Sequence, residues 1–123
     1  MVQKLLLVIL HVLCLVFSQA QTPVKCNDPR IHYMGRVQLH PDSIALSWPG
    51  NAVVLNITGT GLKAELRDEK GQNYYKVIID GALQPDMHPD AAKKIYTLAA
   101  GLPAGKHQIT LFKRTEWTFG KTW

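Results

Sequence analysis

From Ser43 onward, apolar and polar residues alternate with a period of two, the pattern of strands with one buried face. It is cleanest in residues 62–67, where Leu62, Ala64 and Leu66 alternate with Lys63, Glu65 and Arg67. Residues 43–48 put Ile44, Leu46 and Trp48 on one face, and residues 53–58 do the same with Val53, Leu55 and Ile57. Pro49-Gly50-Asn51 lies between them, so the two strands are expected to form a hairpin. Tyr75, Val77 and Ile79 mark a core face in residues 74–80, and further strands are expected at 94–99 and 106–116. A weaker strand is expected at 30–34, ended by Gly35. Glycine, proline and asparagine punctuate the intervals, and Pro85 and Pro89 make 82–92 a loop. Six strands and a weaker seventh, with no helical period, predict an all-β fold, an antiparallel β-sandwich.

The N-terminal residues follow a different rule. Lys4 precedes an apolar run from Leu5 to Phe17, closed by Ser18-Gln19-Ala20. That is the pattern of a secretory signal peptide over residues 1–20, with cleavage expected after Ala20 and a secreted or periplasmic product. The run is too short for a membrane span, which needs about 20 apolar residues. Residues 21–29 then read as a flexible lead, 30–120 as the sandwich, and 121–123 as the start of a linker. Beyond the leader Cys26 is the one cysteine, so the sandwich is expected to hold together by its core and not by an internal disulfide.

The 123-residue chain carries a formal charge of +5, of which Lys4 in the leader supplies one. So modest an excess, spread over solvent-facing strand positions, reads as a solvated basic face, and no nucleic-acid partner is expected. Candidate catalytic groups do not assemble. Pro41-Asp42-Ser43-Ile44 echoes a serine-esterase nucleophile block, but proline replaces its glycine, and no Asp-x-x-His follows to supply a base. His40-Pro41-Asp42 and His88-Pro89-Asp90 hold groups that can ligate zinc, yet both are ordinary turn sequences far apart in the chain, so neither a metal nor a cofactor is expected. Asn56-Ile57-Thr58 matches the N-glycosylation pattern and is given no role. Among the aromatics, Trp48 and Tyr75 fall in register with aliphatic neighbours and are expected in the core. Tyr74 and Trp117 fall out of register and are expected at the surface.

A further set of motifs carries a resemblance. Ser-Trp-Pro-Gly at 47–50, Ile-Thr-Gly-Thr-Gly-Leu at 57–62, Asn-Tyr-Tyr-Lys-Val-Ile-Ile-Asp-Gly at 73–81, Tyr-Thr-Leu-Ala-Ala-Gly-Leu at 96–102 and the run 105–116, with Lys113-Arg114-Thr115-Glu116 the most specific, occur in that order. Over residues 30–120 the chain resembles the N-terminal domain of carbohydrate esterase family 2. The resemblance implies a jelly-roll sandwich that precedes an S-G-N-H serine hydrolase domain, which deacetylates plant polysaccharides such as xylan and glucomannan. The family's catalytic serine and histidine lie in that second domain. None maps onto this sequence, so the chain alone is expected to be inactive, its hydrolase partner absent or separately encoded. Lys113, Arg114, Glu116, Trp117, Phe119 and Tyr74 are the expected contacts, either at a joint with a hydrolase domain or with polysaccharide as a stand-alone binding module.

Overall fold

The structure, a computed structural model, describes residues 1–4 and 21–123; the apolar run of the expected leader and its cleavage position lie outside the described residues. Nine strands follow in chain order: β1 (Ile31–Met34), β2 (Val37–Leu39), β3 (Ile44–Leu46), β4 (Ala52–Thr58), β5 (Leu62–Leu66), β6 (Tyr75–Ile79), β7 (Ala82–Leu83), β8 (Lys94–Ala99) and β9 (Lys106–Lys113). A 3-10 turn, Trp117–Phe119, comes after them. The expected strands over residues 62–67, 74–80, 94–99 and 106–116 are present, with the last ending at Lys113.

The first layer is one antiparallel sheet, in the order β1-β4-β9-β6-β7. Its centre is β9, paired with β4 from Ala52↔Phe112 to Thr58↔Lys106 and with β6 from Tyr75↔Lys113 to Ile79↔Ile109. The second layer consists of two antiparallel ribbons, β2-β3 and β5-β8. Between them runs the segment 121–123. Thr122 bridges Leu46 on one side and Asp68 on the other. Leu46 and Thr122 exchange backbone bonds of 2.8 and 3.1 Å, and Arg67 and Trp123 exchange two of 2.9 Å. The segment expected to begin a linker therefore forms the middle of the second layer, because its backbone groups satisfy two ribbon edges at once.

Side chains from both layers close the core: Leu46, Leu66, Leu98 and Ala99 from the second layer meet Tyr75, Val77, Ile109 and Leu111 from the first. This is an all-β sandwich, as the alternation predicts. Where β5 meets β8 the backbones come so close that a Cβ on Gly61 would lie 2.7 Å from the Ala99 carbonyl oxygen, and the register shifts between Leu62 and Lys63.

Two expectations about residues 43–58 are corrected. β3 pairs with β2 and β4 pairs with β1 and β9, so the turn at 48–51 carries the chain from one layer to the other and does not close a hairpin. Trp48 is not in the core. The strand stops at Leu46, and the buried Asn51 folds back to accept the Ser47 and Trp48 N–H groups at 3.1 and 2.9 Å, which turns Trp48 outward. Asn51 also donates to the Arg36 carbonyl at 3.1 Å. Gly35 makes room for it: φ is +82°, and a Cβ there would sit 2.7 Å from the Asn51 amide nitrogen.

Candidate functional site

The end of β9 carries most of the expected contact residues, and alternation explains what becomes of the first. Ile109, Leu111 and Lys113 share the inward face of β9, so Lys113 enters the sandwich and is fully buried. Its expected place at a contact surface is thereby corrected. The ammonium donates to the Thr115 carbonyl at 2.9 Å, the Thr115 hydroxyl at 3.3 Å and the Glu116 carbonyl at 3.4 Å. Burial pushes the Lys113 ammonium below the ordinary lysine range, and the Asp68 and Glu116 carboxylates act against that shift. Lys113 thus ties down the reversal that follows its own strand.

A second buried polar set holds the reversal from the other side. One Asp68 oxygen accepts the Lys70 and Gln72 N–H groups at 3.2 and 3.1 Å, and the other accepts the Asn73 amide at 2.6 Å and the Thr122 hydroxyl at 2.7 Å. Asn73 also donates to the Gly120 carbonyl at 3.2 Å and accepts the Thr115 hydroxyl. Asp68, Asn73 and Thr122 are fully buried, so the bonds of the Asn73 amide and of the Thr122 hydroxyl to Asp68 are made where water cannot replace them. The Tyr75 hydroxyl is buried among them, with Thr122 and Asp68 as polar neighbours and none at hydrogen-bonding geometry. Its ionisation is pushed far up, chiefly by burial.

On this frame stand the exposed groups. Trp117 is 60% exposed, and its ring lies 6.4 Å from that of Trp48 at a tilt of 41°. The Arg36 guanidinium sits 5.5 Å from the Trp48 ring centre. Phe119 is partly exposed, and the Lys70 ammonium donates to the adjoining Thr118 carbonyl at 2.9 Å. Across β9, exposed Tyr74 stacks on His88 at 3.9 Å, and His88 bonds the Asn73 carbonyl through Nδ1 at 2.7 Å. Arg114 pairs with Asp86 at 2.7 Å, a carboxylate that also takes Lys76 and is held below its ordinary range, first by the Lys76 hydrogen bond. Glu116 leads into the 3-10 turn without a side-chain cap.

The sequence reading and the structure thus agree on the surface position of Tyr74 and Trp117. They differ on Lys113, which is internal, and on Trp48, which the reading placed inside. Of the remaining chemistry-bearing motifs, Asn56-Ile57-Thr58 lies within β4 and the two His-Pro-Asp sequences lie outside the strands. Asp90 accepts the Ala92 N–H at 3.0 Å and pairs with Lys94 at 2.7 Å, while the His40 N–H bonds the Ser43 carbonyl at 2.9 Å.

By architecture this is an antiparallel β-sandwich of the kind found at the front of carbohydrate esterases. The chain belongs to the carbohydrate esterase 2 N-terminal family, whose model matches residues 33–123. It is 34% identical over 105 residues to the cellulase/esterase CelE of Acetivibrio thermocellus, a match that covers 85% of this chain and 13% of that protein. A family two carbohydrate esterase from Cellvibrio japonicus superposes with a TM-score of 0.76 at 26% identity, over 80% of this chain and 30% of the other. One from Clostridium thermocellum, in complex with cellohexaose, gives 0.70 at 32% identity, over 75% and 28%. The chain therefore spans less than a third of each of these three relatives.

Proposed function

We propose that this chain is a non-catalytic accessory domain in the deacetylation of plant polysaccharide, working outside the cell beside an S-G-N-H hydrolase domain. The observation that carries this reading is the family match over residues 33–123, which takes in all of the sandwich but the first half of β1. Its contact surface is the end bearing Trp48, Tyr74, Arg114, Glu116, Trp117 and Phe119. Exposed tryptophan, tyrosine and arginine on a rigid frame are the residue types that dominate protein interfaces, which supports a joint with the hydrolase domain. Acetate release from acetylated xylan and glucomannan tests it. The chain alone releases none, added chain binds a family-two hydrolase domain, and Trp117→Ala abolishes that binding. Hydrolysis of an aryl acetate by the chain alone, lost in Ser43→Ala, would overturn the reading.

A second reading, a polysaccharide-binding module, is favoured by the Trp48–Trp117 pair with Arg36 over one ring. Two exposed indole faces side by side suit the apolar faces of consecutive sugar rings. Affinity gels containing acetylated xylan or glucomannan separate the readings. Retardation lost in Trp48→Ala supports the module, and unchanged mobility at high polysaccharide concentration eliminates it.

A further inference from the structure

The opposite end of the sandwich gathers three turns around one imidazole. His107, near the start of β9, has a side chain only 11% exposed. Its Nδ1 lies 2.6 Å from an Asp80 carboxylate oxygen, and its Nε2 lies 2.6 Å from the Pro103 carbonyl oxygen. Both partners are acceptors: an ionised carboxylate and a peptide carbonyl have no proton to give. A neutral imidazole carries one N–H, so it can satisfy only one of them, while the imidazolium satisfies both.

Asp80 is committed to the same arrangement. It is the one non-glycine residue with positive φ among those described, at +49°, and it starts the turn between β6 and β7. Its second oxygen accepts the Gln108 N–H at 2.9 Å, and its own N–H bonds the Gln108 carbonyl at 2.9 Å. The turn at 101–105 is in turn fastened to the turn at 59–61, by Leu102 N–H to Thr60 O at 2.9 Å and Gly59 N–H to Gly105 O at 2.9 Å.

We infer that His107 is a protonation-dependent staple, which joins the 80–81 turn to the 101–105 turn while its ring is charged and releases Pro103 when the ring loses a proton. Asp80 is the charged group that faces it from the β6–β7 turn. β4 presents Ile57 opposite it, flanked by uncharged Asn56 and Thr58, and the 101–105 turn brings no charged side chain. On β9 itself Lys106 is the charged neighbour, and it is exposed. The Asp80 hydrogen bond, followed by the Pro103 carbonyl, raises His107 above the ordinary imidazole range, and the His107 bond first of all lowers Asp80. Stabilisation by a base whose folded value is raised is complete below its unfolded value, near 6.5 for histidine, and is lost as pH rises through the folded value. The staple is therefore closed in mildly acidic medium and opens on the alkaline side of the ordinary histidine range.

Ring nitrogen NMR of the full chain across a pH series tests this. Both His107 nitrogens should still carry protons above about pH 6.5, the ordinary histidine value. Exchange of the Leu102 and Gln108 amides, corrected for intrinsic base catalysis, should accelerate across the His107 transition. Asp80→Asn should return His107 towards the ordinary histidine range, and His107→Gln should flatten the pH dependence of amide exchange. If either variant fails to fold, the wild-type titration alone decides. A His107 that loses its proton within the ordinary histidine range, or amide exchange at the two turns indifferent to its charge, would overturn the inference.

Discussion

The two layers of this sandwich are put together differently. In the first, each strand finds its neighbours through an uninterrupted ladder, and β9 alone pairs along its length with β4 and β6. In the second, the ribbons β2-β3 and β5-β8 do not pair with each other, and residues 121–123 stand between them. The first layer rests on backbone pairing of alternating strands. The second rests on one short segment, whose side chain Thr122 is anchored to a buried carboxylate. A layer built this way concentrates its dependence in few residues, and substitution should reveal it.

The sharpest break is Asp68→Ala. It leaves the fully buried Asn73 amide and Thr122 hydroxyl without their acceptor, and two part-buried N–H groups, those of Lys70 and Gln72, with them. A loss of about 4 kcal/mol is expected, since each orphaned buried group costs about 1–3 kcal/mol before relaxation. Urea denaturation measures it, and a loss under about 1 kcal/mol would mean that the second layer does not depend on this anchor. Thr122→Val keeps the backbone bridge and removes only the hydroxyl, so about 1–2 kcal/mol should be lost.

Lys113→Met probes the reversal in place of the layer. The shape is nearly kept and a buried charge disappears, so net stability should move by no more than about 1 kcal/mol. The Thr115 and Glu116 carbonyls lose their donor, and Trp117 should then leave Trp48, seen as a change in near-UV circular dichroism. If stability falls steeply while the tryptophan signal is unchanged, Lys113 serves the core and not the reversal. The smallest effect is expected from Leu83→Ala in β7, the outer strand of the first sheet. That side chain is exposed, and the urea midpoint should shift by less than about 0.5 kcal/mol equivalent.

The same contrast governs what could be read in the sequence. β5, β6, β8 and β9 announce themselves because their partners bury one face and leave the other wet, which is the origin of alternation. Lys113 was legible too: it continues the Ile109, Leu111 register, and only the expectation that lysine stays outside hid it. Trp48 misleads for the opposite reason. It continues the Ile44, Leu46 register in sequence, but Asn51 bends the backbone before the pattern reaches it. β2 spans three residues, Val37–Leu39, too few for a period to show. Lys121-Thr122-Trp123 has no periodicity at all, and its role comes from partners distant in the chain. The end carrying Trp117 shows in the sequence as a run of charges and aromatics over residues 113–119, whereas its partnership with Trp48 depends on the turn at 48–51.

The bond between Thr122 and Asp68 joins residues 54 positions apart, and that separation has a kinetic meaning. During synthesis β2, β3, β5 and β8 all emerge before the segment that unites them. Until residues 121–123 are available, both ribbons present open edges, the surfaces most prone to pairing with other chains. Contacts so distant in sequence also pay their loop-closure entropy before they return any stability, which slows folding. The vulnerable moment of this domain is therefore the interval between translation of β8 and insertion of Thr122, and refolding yield should fall with chain concentration most steeply when that insertion is delayed.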